Sequence, residues 1–385
     1  MHLTTKEEKM YDGEYGWAPQ ICMRILTRLG DMFDATKLIP IESAHLSGVS
    51  YKTIGDAPIE FLDELAKTGK AKVETTLNPS SLDPQMARFS EKRHEKQQHI
   101  IDLYKKIGAT LTLTCTPYYL KQPQQGSHLA WAESSAVIYT NSVLGAYTNR
   151  EGSPSALAAA IIGKTPNYGI HKPENREPTV LVNVDAKLKD EAEFGALGIY
   201  LGKLLNDKIP FLGGLSKYTN DGFKQLGAAM ATAGMTPIFK TRKPPKKTWQ
   251  ETMTVKRKEI ESTMERLTTT AKQPDLIFLG CPHCSLEELK KVAIFLRGKK
   301  IRNNLRLWVC TSRWLKEGAK NYVNVIEEAG GHVVCDTCAI VTWLKDLGID
   351  SIMTNSAKTA YYAPTMNKVG TLFAPLKECL KTACL

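Results

Sequence analysis

The sequence predicts an α/β fold in which helices cover parallel β-sheets. Three observations support this class. The first third of the chain alternates helical and strand patterns, the last third holds four consecutive strand–loop–helix units, and no repeat or low-complexity segment interrupts them. With 385 residues, 42% of them apolar and 24% charged, the chain is long enough for two or three ordinary globular domains.

Helices and short strands alternate in the first third. Residues 19–29 place apolar side chains, among them Cys22, on one helical stripe, and residues 84–107 are predicted as a long polar helix. A helix over residues 61–67 is predicted to end at Gly69 in the C′ position. Strands are predicted at residues 38–41, 73–76 and 110–114, and the last of them leads into Cys115.

The middle of the chain is predicted to be helical and to lead into a basic connector. Gly195, Gly198 and Gly202 fall within an apolar helical pattern, so they predict close helix packing rather than a phosphate loop. Residues 240–272 are basic and then helical. The predicted division is therefore 1–120, 121–239, a connector over 240–272, and 273–385.

Four strands are predicted in the last third, at residues 275–279, 305–309, 332–334 and 351–353. Ser285 and Glu288 form a capping box that starts a helix after the first of them. The residues that follow the strands are polar or carry thiols. Since the carboxyl ends of parallel strands meet at one crevice, these side chains are predicted to face a common site.

The net charge of +11 does not predict a nucleic-acid-binding protein. The densest cluster of basic residues in the chain comprises Lys240, Arg242, Lys243, Lys246, Lys247, Lys256, Arg257 and Lys258. Neither an aromatic stacking pattern nor a nucleic-acid recognition motif accompanies this cluster. A basic excess also suits a small anionic substrate. No apolar run is long enough to span a membrane and the N-terminus lacks the apolar region of a signal peptide, so a cytoplasmic location is expected.

Nine cysteines in a reducing compartment favour thiols or metal ligands over disulfides. The pairs Cys281/Cys284 and Cys335/Cys338 could bind structural zinc, although their separation is wider than in a zinc ribbon. The first pair also matches a thioredoxin-like redox motif. One cysteine from each of three loops could instead hold an iron–sulfur cluster. A fourth ligand, Cys284 or Cys310, would suit electron transfer, whereas three ligands would leave one iron open as a Lewis acid.

Polar clusters upstream favour chemistry on a small anion. Gly48 would allow close approach of the backbone, and Ser50 and Lys52 could bind a carboxylate or phosphate. Further polar side chains follow at residues 75–79, 133–135 and 141–152. Each cluster alone is more often a turn or a helix cap, so their number carries the prediction.

Long, ordered motifs at these positions closely resemble the aconitase X family. They cover nearly the whole chain and comprise residues 45–56 (HLSGVSYKTIGD), 75–79 (TTLNP), 114–118 (TCTPY), 133–136 (ESSA), 148–152 (TNREG), 165–169 (TPNYG), 280–283 (GCPH), 336–338 (DTC) and the loop at Lys358. The resemblance implies aconitase-like three-layer α/β/α domains with parallel sheets. It also implies a hydro-lyase whose [4Fe-4S] cluster is held by Cys115, Cys281 and Cys338.

Substrate contacts are likewise implied by the resemblance, at Gly48, Val49, Ser50, Asn78, Pro79, Glu133, Ser134 and Lys358. Catalytic roles are expected for Ser50, Glu133 and Lys358, with the base either here or in a partner chain. The implied reaction is loss of water from (R)-5-phosphomevalonate to give trans-anhydromevalonate 5-phosphate in the archaeal mevalonate pathway.

The chain lacks the swivelling domain that fused members of the family carry, so the resemblance implies a separate small subunit. Two alternatives remain open. One is a dehydratase of another small hydroxy acid such as a hydroxyproline, and the other is a zinc-stabilised, non-catalytic scaffold subunit.

Overall fold

The computed structural model describes residues 1–83, 90–215, 218–242, 249 and 251–384. Its internal contacts divide the chain into two compact units. The first comprises residues 1–82 and 88–177, and the second comprises residues 83–87 and 178–385. None of the helices in the described part of the chain is both long and apolar enough to cross a membrane.

The first unit contains seven α-helices and five short strands among its described residues. In chain order they are α1 (Thr5–Asp12), α2 (Trp17–Met32), β1 (Leu38–Pro40), β2 (Ser43–Leu46), α3 (Tyr51–Ile54), α4 (Ala57–Thr68), β3 (Glu74–Leu77), α5 (Glu91–Ile107), β4 (Ala130–Trp131), α6 (Ser134–Tyr139), α7 (Ser153–Ile162) and β5 (Lys164–Pro166).

A parallel sheet with strand order β3-β2-β4 is the centre of this unit. β1 and β5 form a separate antiparallel ribbon. Apolar side chains from four helices, such as Leu26 of α2, Leu65 of α4, Ile100 of α5 and Ile161 of α7, form one buried core with Leu46 of β2. The core fixes the direction of the three strands, so their carboxyl ends share one edge.

The second unit continues the chain to its C-terminus. Its elements are β6 (Val180–Asp185), α8 (Glu191–Leu205), β7 (Pro210–Gly213), α9 (Asn220–Ala233), β8 (Glu251–Lys256), α10 (Arg257–Leu267), β9 (Leu276–Leu279), α11 (Leu286–Leu296), β10 (Arg306–Cys310), α12 (Arg313–Gly318), α13 (Lys320–Glu328), β11 (His332–Val334), β12 (Ser351–Thr354), α14 (Ala357–Met366), β13 (Gly370–Phe373) and α15 (Leu376–Ala383).

Two parallel sheets organise the second unit, with strand orders β7-β6-β8 and β11-β10-β9-β12-β13. The five-stranded sheet is apolar on both faces, because Ile277 and Leu279 of β9 belong to one buried cluster while Leu276 and Phe278 belong to another. Helices therefore cover both faces, which is the predicted three-layer arrangement. Its four predicted strands and the capping box of Ser285 and Glu288 are confirmed.

The structure divides the chain at different residues from those predicted. Residue 120 falls inside the first unit, because β4 follows it and pairs with β2 in the same sheet. The connector predicted over 240–272 contains β8 and α10, and β8 pairs along its whole length with β6. Lys243, Lys246 and Lys247 of the basic cluster lie outside the described residues.

The strand predicted at residues 110–114 is reduced to one bridge, between Thr110 and Thr76. Leu113 has a φ of +43°, a left-handed conformation that interrupts regular pairing. The side chain of Thr112 contacts β3 in place of a regular backbone pairing, because its Oγ1 accepts a hydrogen bond from the backbone N of Leu77 at 2.9 Å. The predicted strand over 38–41 also differs, because β1 ends at Pro40 and a second strand, β2, follows it.

Helix predictions fared better, with differences at the ends. α2 confirms the predicted helix over 19–29, and α5 begins at Glu91 while residues 84–89 of its predicted range lie outside the described part. Gly69 does end α4, but as its C-cap residue, with a φ of −69°, rather than at the predicted C′ position. Close packing at the α8 glycines is confirmed, since a Cβ on Gly198 would lie 2.4 Å from the carbonyl oxygen of Leu226 in α9.

Candidate active site

Predicted substrate residues follow all three strands of the parallel sheet in the first unit. Gly48, Val49 and Ser50 come after β2, residues 78–79 come after β3, and residues 133–134 come after β4. Because the strands are parallel, these loops emerge at one edge of the sheet. The sequence motifs are thus gathered by the topology of one small sheet.

Two of these predicted residues are in direct contact. The side-chain N–H of Asn78 donates to Oε2 of Glu133 at 2.9 Å. The other oxygen of Glu133 accepts from the backbone N of Ser135 at 3.2 Å and from its hydroxyl at 2.7 Å, so Glu133 also caps α6. These donors orient a nearly buried carboxylate at the sheet edge.

His45 lies beside this pair and was not assigned a role from the sequence. It is fully buried in the central strand β2, with Nδ1 2.8 Å from Oγ1 of Thr76. Burial lowers the pKa of His45 to about 4, although the charge of Glu133 and the side chain of Asn78 oppose the shift. The imidazole is therefore uncharged near neutral pH.

The loop over residues 47–50 is held by side chains from distant helices. Gly48 has a φ of +76°, and a Cβ there would lie 2.4 Å from Oγ of Ser153 at the start of α7. That hydroxyl donates to the carbonyl of Ser47 at 2.7 Å, while Tyr104 of α5 donates to the carbonyl of Gly48 at 3.1 Å. Glycine is required here because the backbone is left-handed and closely packed.

Gln97 of α5 completes this support. Its amide N–H donates to the carbonyl of Val49 at 2.9 Å, and its Oε1 accepts from the backbone N of Tyr51 and from the backbone N of Ser81, both at 2.9 Å. Sequence reasoning missed Gln97. The available signal was its place on the same helical stripe as Ile100 and Tyr104, where a polar residue is unusual.

Cys115 belongs to the first unit and is buried. The irregular segment before it still follows β3, since the backbone N of Thr114 donates to the carbonyl of Leu77, the last residue of that strand, at 3.0 Å. Cys115 therefore lies beyond the carboxyl end of β3, whereas the sequence predicted that it follows a strand of its own over residues 110–114.

The other predicted site residues, two cysteines and a lysine, follow strands of the five-stranded sheet in the second unit. Cys281 follows β9, Cys338 lies in the loop after β11, and Lys358 lies in the first turn of α14 after β12. The chain passes from β9 to β10 and β11 on one side before it returns to β12 on the other. Cys281 and Lys358 therefore follow neighbouring strands at a topological switch point, where open α/β sheets bind ligands.

Cys281 and Cys338 are buried in the same apolar cluster of the second unit. Burial raises the pKa of the Cys338 thiol to about 12, the neighbouring Cys281 adds to the increase, and Lys358 opposes it. Two thiols buried side by side in an apolar cluster are donors that iron–sulfur clusters use, so this pair fits such a group.

No three or more His, Cys, Asp or Glu side chains in the described part of the chain are grouped as ligands of a metal ion. The zinc site considered at Cys281, Cys284, Cys335 and Cys338 stays a prediction. All nine cysteines of the chain lie in its described part, and each is outside any disulfide.

Three family models match consecutive parts of the chain. They describe the aconitase X first domain at residues 1–174, the second domain at 178–266 and the third domain at 274–385. The chain belongs to the aconitase X family. Its three models leave only short stretches unmatched, and the first ends within three residues of the boundary between the two units.

Relatives of this aconitase X chain match over its whole length. It is 46% identical to the phosphomevalonate dehydratase large subunit of Methanocaldococcus jannaschii, over 99% of this chain and 100% of that protein. The crystal structure of Thermococcus kodakaraensis aconitase X in its holo-form is 41% identical, covers both chains completely and superposes with a TM-score of 0.93. A cis-3-hydroxy-L-proline dehydratase of Hypocrea jecorina is 32% identical over this whole chain but only 69% of its own length.

Proposed function

We propose that this chain is the large catalytic subunit of a phosphomevalonate dehydratase. The reaction is the removal of water from (R)-5-phosphomevalonate to give trans-anhydromevalonate 5-phosphate, in the archaeal mevalonate pathway of isoprenoid biosynthesis. Relatives that are 36–46% identical to this chain carry that name. The observation that carries the proposal is the set of three loops at one sheet edge, which brings Asn78 into contact with Glu133 beside the loop of Gly48.

The proposal includes a [4Fe-4S] cluster held by Cys115, Cys281 and Cys338. Cys281 and Cys338 are buried in one apolar cluster, in loops that follow β9 and β11, and Cys115 is buried beyond the end of β3. Three cysteine ligands would leave one iron open, and when bound the cluster would supply Lewis-acid activation of the leaving hydroxyl.

Lys358 and the loop of Ser50 are proposed to hold the anionic ends of the substrate. Lys358 is half-buried in the first turn of α14, where its ammonium and the helix N-terminus both attract an anion. Gly48 and Val49 would present backbone to the substrate, since Ser153, Tyr104 and Gln97 fix that loop from behind. Pro79 and Ser134 complete the proposed contacts.

The catalytic base is proposed to be Glu133, Ser50 or a residue of the small subunit. Glu133 accepts hydrogen bonds from Asn78 and Ser135, which hold the carboxylate in one orientation before substrate binds. A base oriented in advance reaches the proton next to the substrate carboxylate without further ordering. Ser50 is buried at the start of α3.

A separate small subunit is part of the proposal. Five relatives that are 36–46% identical to this chain are named large subunits, and this chain matches only 69% of the hydroxyproline dehydratase relative. A heterodimer is therefore proposed as the active form. As predicted from the sequence, its location is proposed to be the cytoplasm.

The test is reconstitution of the chain with its small subunit, iron and sulfide under anaerobic conditions. We expect a brown protein that converts (R)-5-phosphomevalonate to the anhydro product, followed by ¹H and ³¹P NMR, and that leaves cis-3-hydroxy-L-proline unchanged. Turnover of hydroxyproline alone would transfer the chain to the alternative dehydratase class. A colourless, zinc-loaded and fully active protein would contradict the cluster.

A further inference from the structure

The loop that carries Cys281 is linked to the loop that carries Cys338 by a buried imidazole. His283 is fully buried, and its Nε2 lies 3.2 Å from the carbonyl oxygen of Thr337, the residue before Cys338. A carbonyl oxygen only accepts hydrogen bonds, so Nε2 must carry the proton and donate. The contact fixes the peptide that joins Thr337 to Cys338.

The backbone on the His283 side of this contact is held at three carbonyls. Ser356 donates to the carbonyl of Cys281, Lys224 donates to that of His283 at 3.2 Å, and Thr311 donates to that of Cys284 at 2.9 Å. The backbone N of Cys284 also donates to the carbonyl oxygen of Cys310 at 2.8 Å. With these bonds in place the loop has little freedom, so the position of the imidazole is set by the sheet.

Lys224 is itself fixed by a buried ion pair. Its ammonium is fully buried and contacts the carboxylate of Glu288, which also accepts from the backbone N of Ser285 at 2.8 Å. The cation thus ties the loop after β9 to α9 and to the first turn of α11. The loop that carries Cys338 is less regular, since Asp336 has a φ of +63° and no helix begins directly after it.

We infer that His283 is a positioning residue that sets the separation of Cys281 and Cys338 for a shared cluster. The inference rests on the proposed function, because it takes these two thiols as ligands. Hydrogen bonds behind metal ligands hold the ligands in place, and their loss commonly weakens metal binding by about tenfold to a hundredfold. Without the donor, the peptide before Cys338 could rotate and move that thiol away from Cys281.

Three substitutions at this position separate hydrogen bonding from packing. His283→Leu fills the space without a hydrogen-bond donor. His283→Gln places an amide N–H near the position of Nε2, whereas the side chain of His283→Asn is too short to bring its amide N–H to the carbonyl oxygen of Thr337. Thr371→Val is the matched control, because it removes another buried bond of this unit, from the Thr371 hydroxyl to the carbonyl of Leu267 at 2.7 Å.

The experiment measures the rate at which a chelator removes visible cluster absorbance from each reconstituted full-length complex. The EPR spectrum of the reduced cluster and the thermal unfolding of the metal-free chain are recorded alongside. We expect loss about tenfold faster or more in the Leu and Asn variants, a changed EPR spectrum, and rates within about twofold of wild type for His283→Gln and Thr371→Val.

Each outcome bears on the inference. If the Leu variant fails to fold, the comparison of Asn with Gln decides alone. Equal rates in all variants, with a cluster present, would overturn the role of His283 and leave the proposed function standing. A wild-type chain that takes up no cluster would overturn both.

Discussion

At the residue scale, the cysteines of this chain resemble one another in burial and differ in where they lie. Cys115, Cys281 and Cys338 lie in loops beyond strand ends, whereas Cys22 is in α2 and Cys379 in α15. All five are buried. Burial alone therefore does not identify a ligand. Position beyond a strand end narrows the choice without deciding it, because Cys284 and Cys335 also follow β9 and β11.

Serine substitutions should separate these two groups. Replacing Cys115, Cys281 or Cys338 should abolish cluster absorbance in the anaerobically reconstituted protein, because iron–sulfur clusters are held by thiolates and a serine hydroxyl is a much weaker iron ligand. Cys22→Ser, Cys379→Ser and Cys384→Ser should keep it. Burying a hydroxyl lowers stability by about 1–3 kcal/mol at any of these sites, so iron content and absorbance per chain are the deciding measurements. Loss of the cluster in Cys284→Ser as well would rule out a three-cysteine site.

At the scale of elements, the loop after β2 depends on a glycine for two separable reasons. Gly48 needs a left-handed backbone and also has no room for a Cβ. Gly55, at the end of α3, has a similar φ of +68° but no atom within 4 Å of a built Cβ. The pair therefore separates backbone strain from steric overlap.

Gly48→Ala should lower stability by about 1–2 kcal/mol from strain and also raise the KM for phosphomevalonate, because Ser153 would be displaced from the loop. Gly55→Ala should show the loss of stability alone. Denaturant unfolding and steady-state kinetics of both variants check this. An unchanged KM in Gly48→Ala would show that this loop does not contact the substrate.

Elements marked by their own residues could be predicted from the sequence, whereas contacts between residues far apart in the sequence could not. The strands of the five-stranded sheet were predicted because each is an apolar run with its own turn signals. The strand β8 was missed because residues 240–272 were judged by charge, although Thr252, Thr254 and Val255 favour a strand. Gln97 and Ser153 could not be predicted as supports of residues 47–50, since their partners are about 50 and 100 residues away in sequence.

At the scale of the whole molecule, the residues proposed for one activity range from position 48 to position 358, and in each unit candidate residues follow the carboxyl ends of parallel strands. The aconitase X motifs can be recognised one by one along the chain. The candidate residues could therefore be predicted although they are far apart in the sequence. Some of the side chains that support them, such as Gln97 and Tyr104, lie outside these motifs. Stability and function are therefore coupled through buried polar groups, not all of which a motif contains.

That coupling predicts an acid-sensitive first unit. Burial lowers the pKa of His45 to about 4 and that of His171 to about 3, the latter with help from His128 and Arg176, against an ordinary value of 6.5. The unfolded chain then binds more protons than the folded chain below pH 6.5, so stability falls as the pH falls. Each histidine should lower the free energy of unfolding by about 2 kcal/mol between pH 7 and pH 5.

Substitution tests this group by group, because buried carboxyls with raised pKa values, such as Glu151, act in the opposite direction over the same range. His45→Gln and His171→Gln should each lose about 2 kcal/mol less than wild type between pH 7 and pH 5, measured by urea unfolding of the metal-free chain at both values. The exposed His332→Gln is the control. If the variants lose as much stability as wild type between pH 7 and pH 5, these imidazoles are already protonated in the folded protein. The conclusion that His45 is uncharged beside Glu133 would then be wrong.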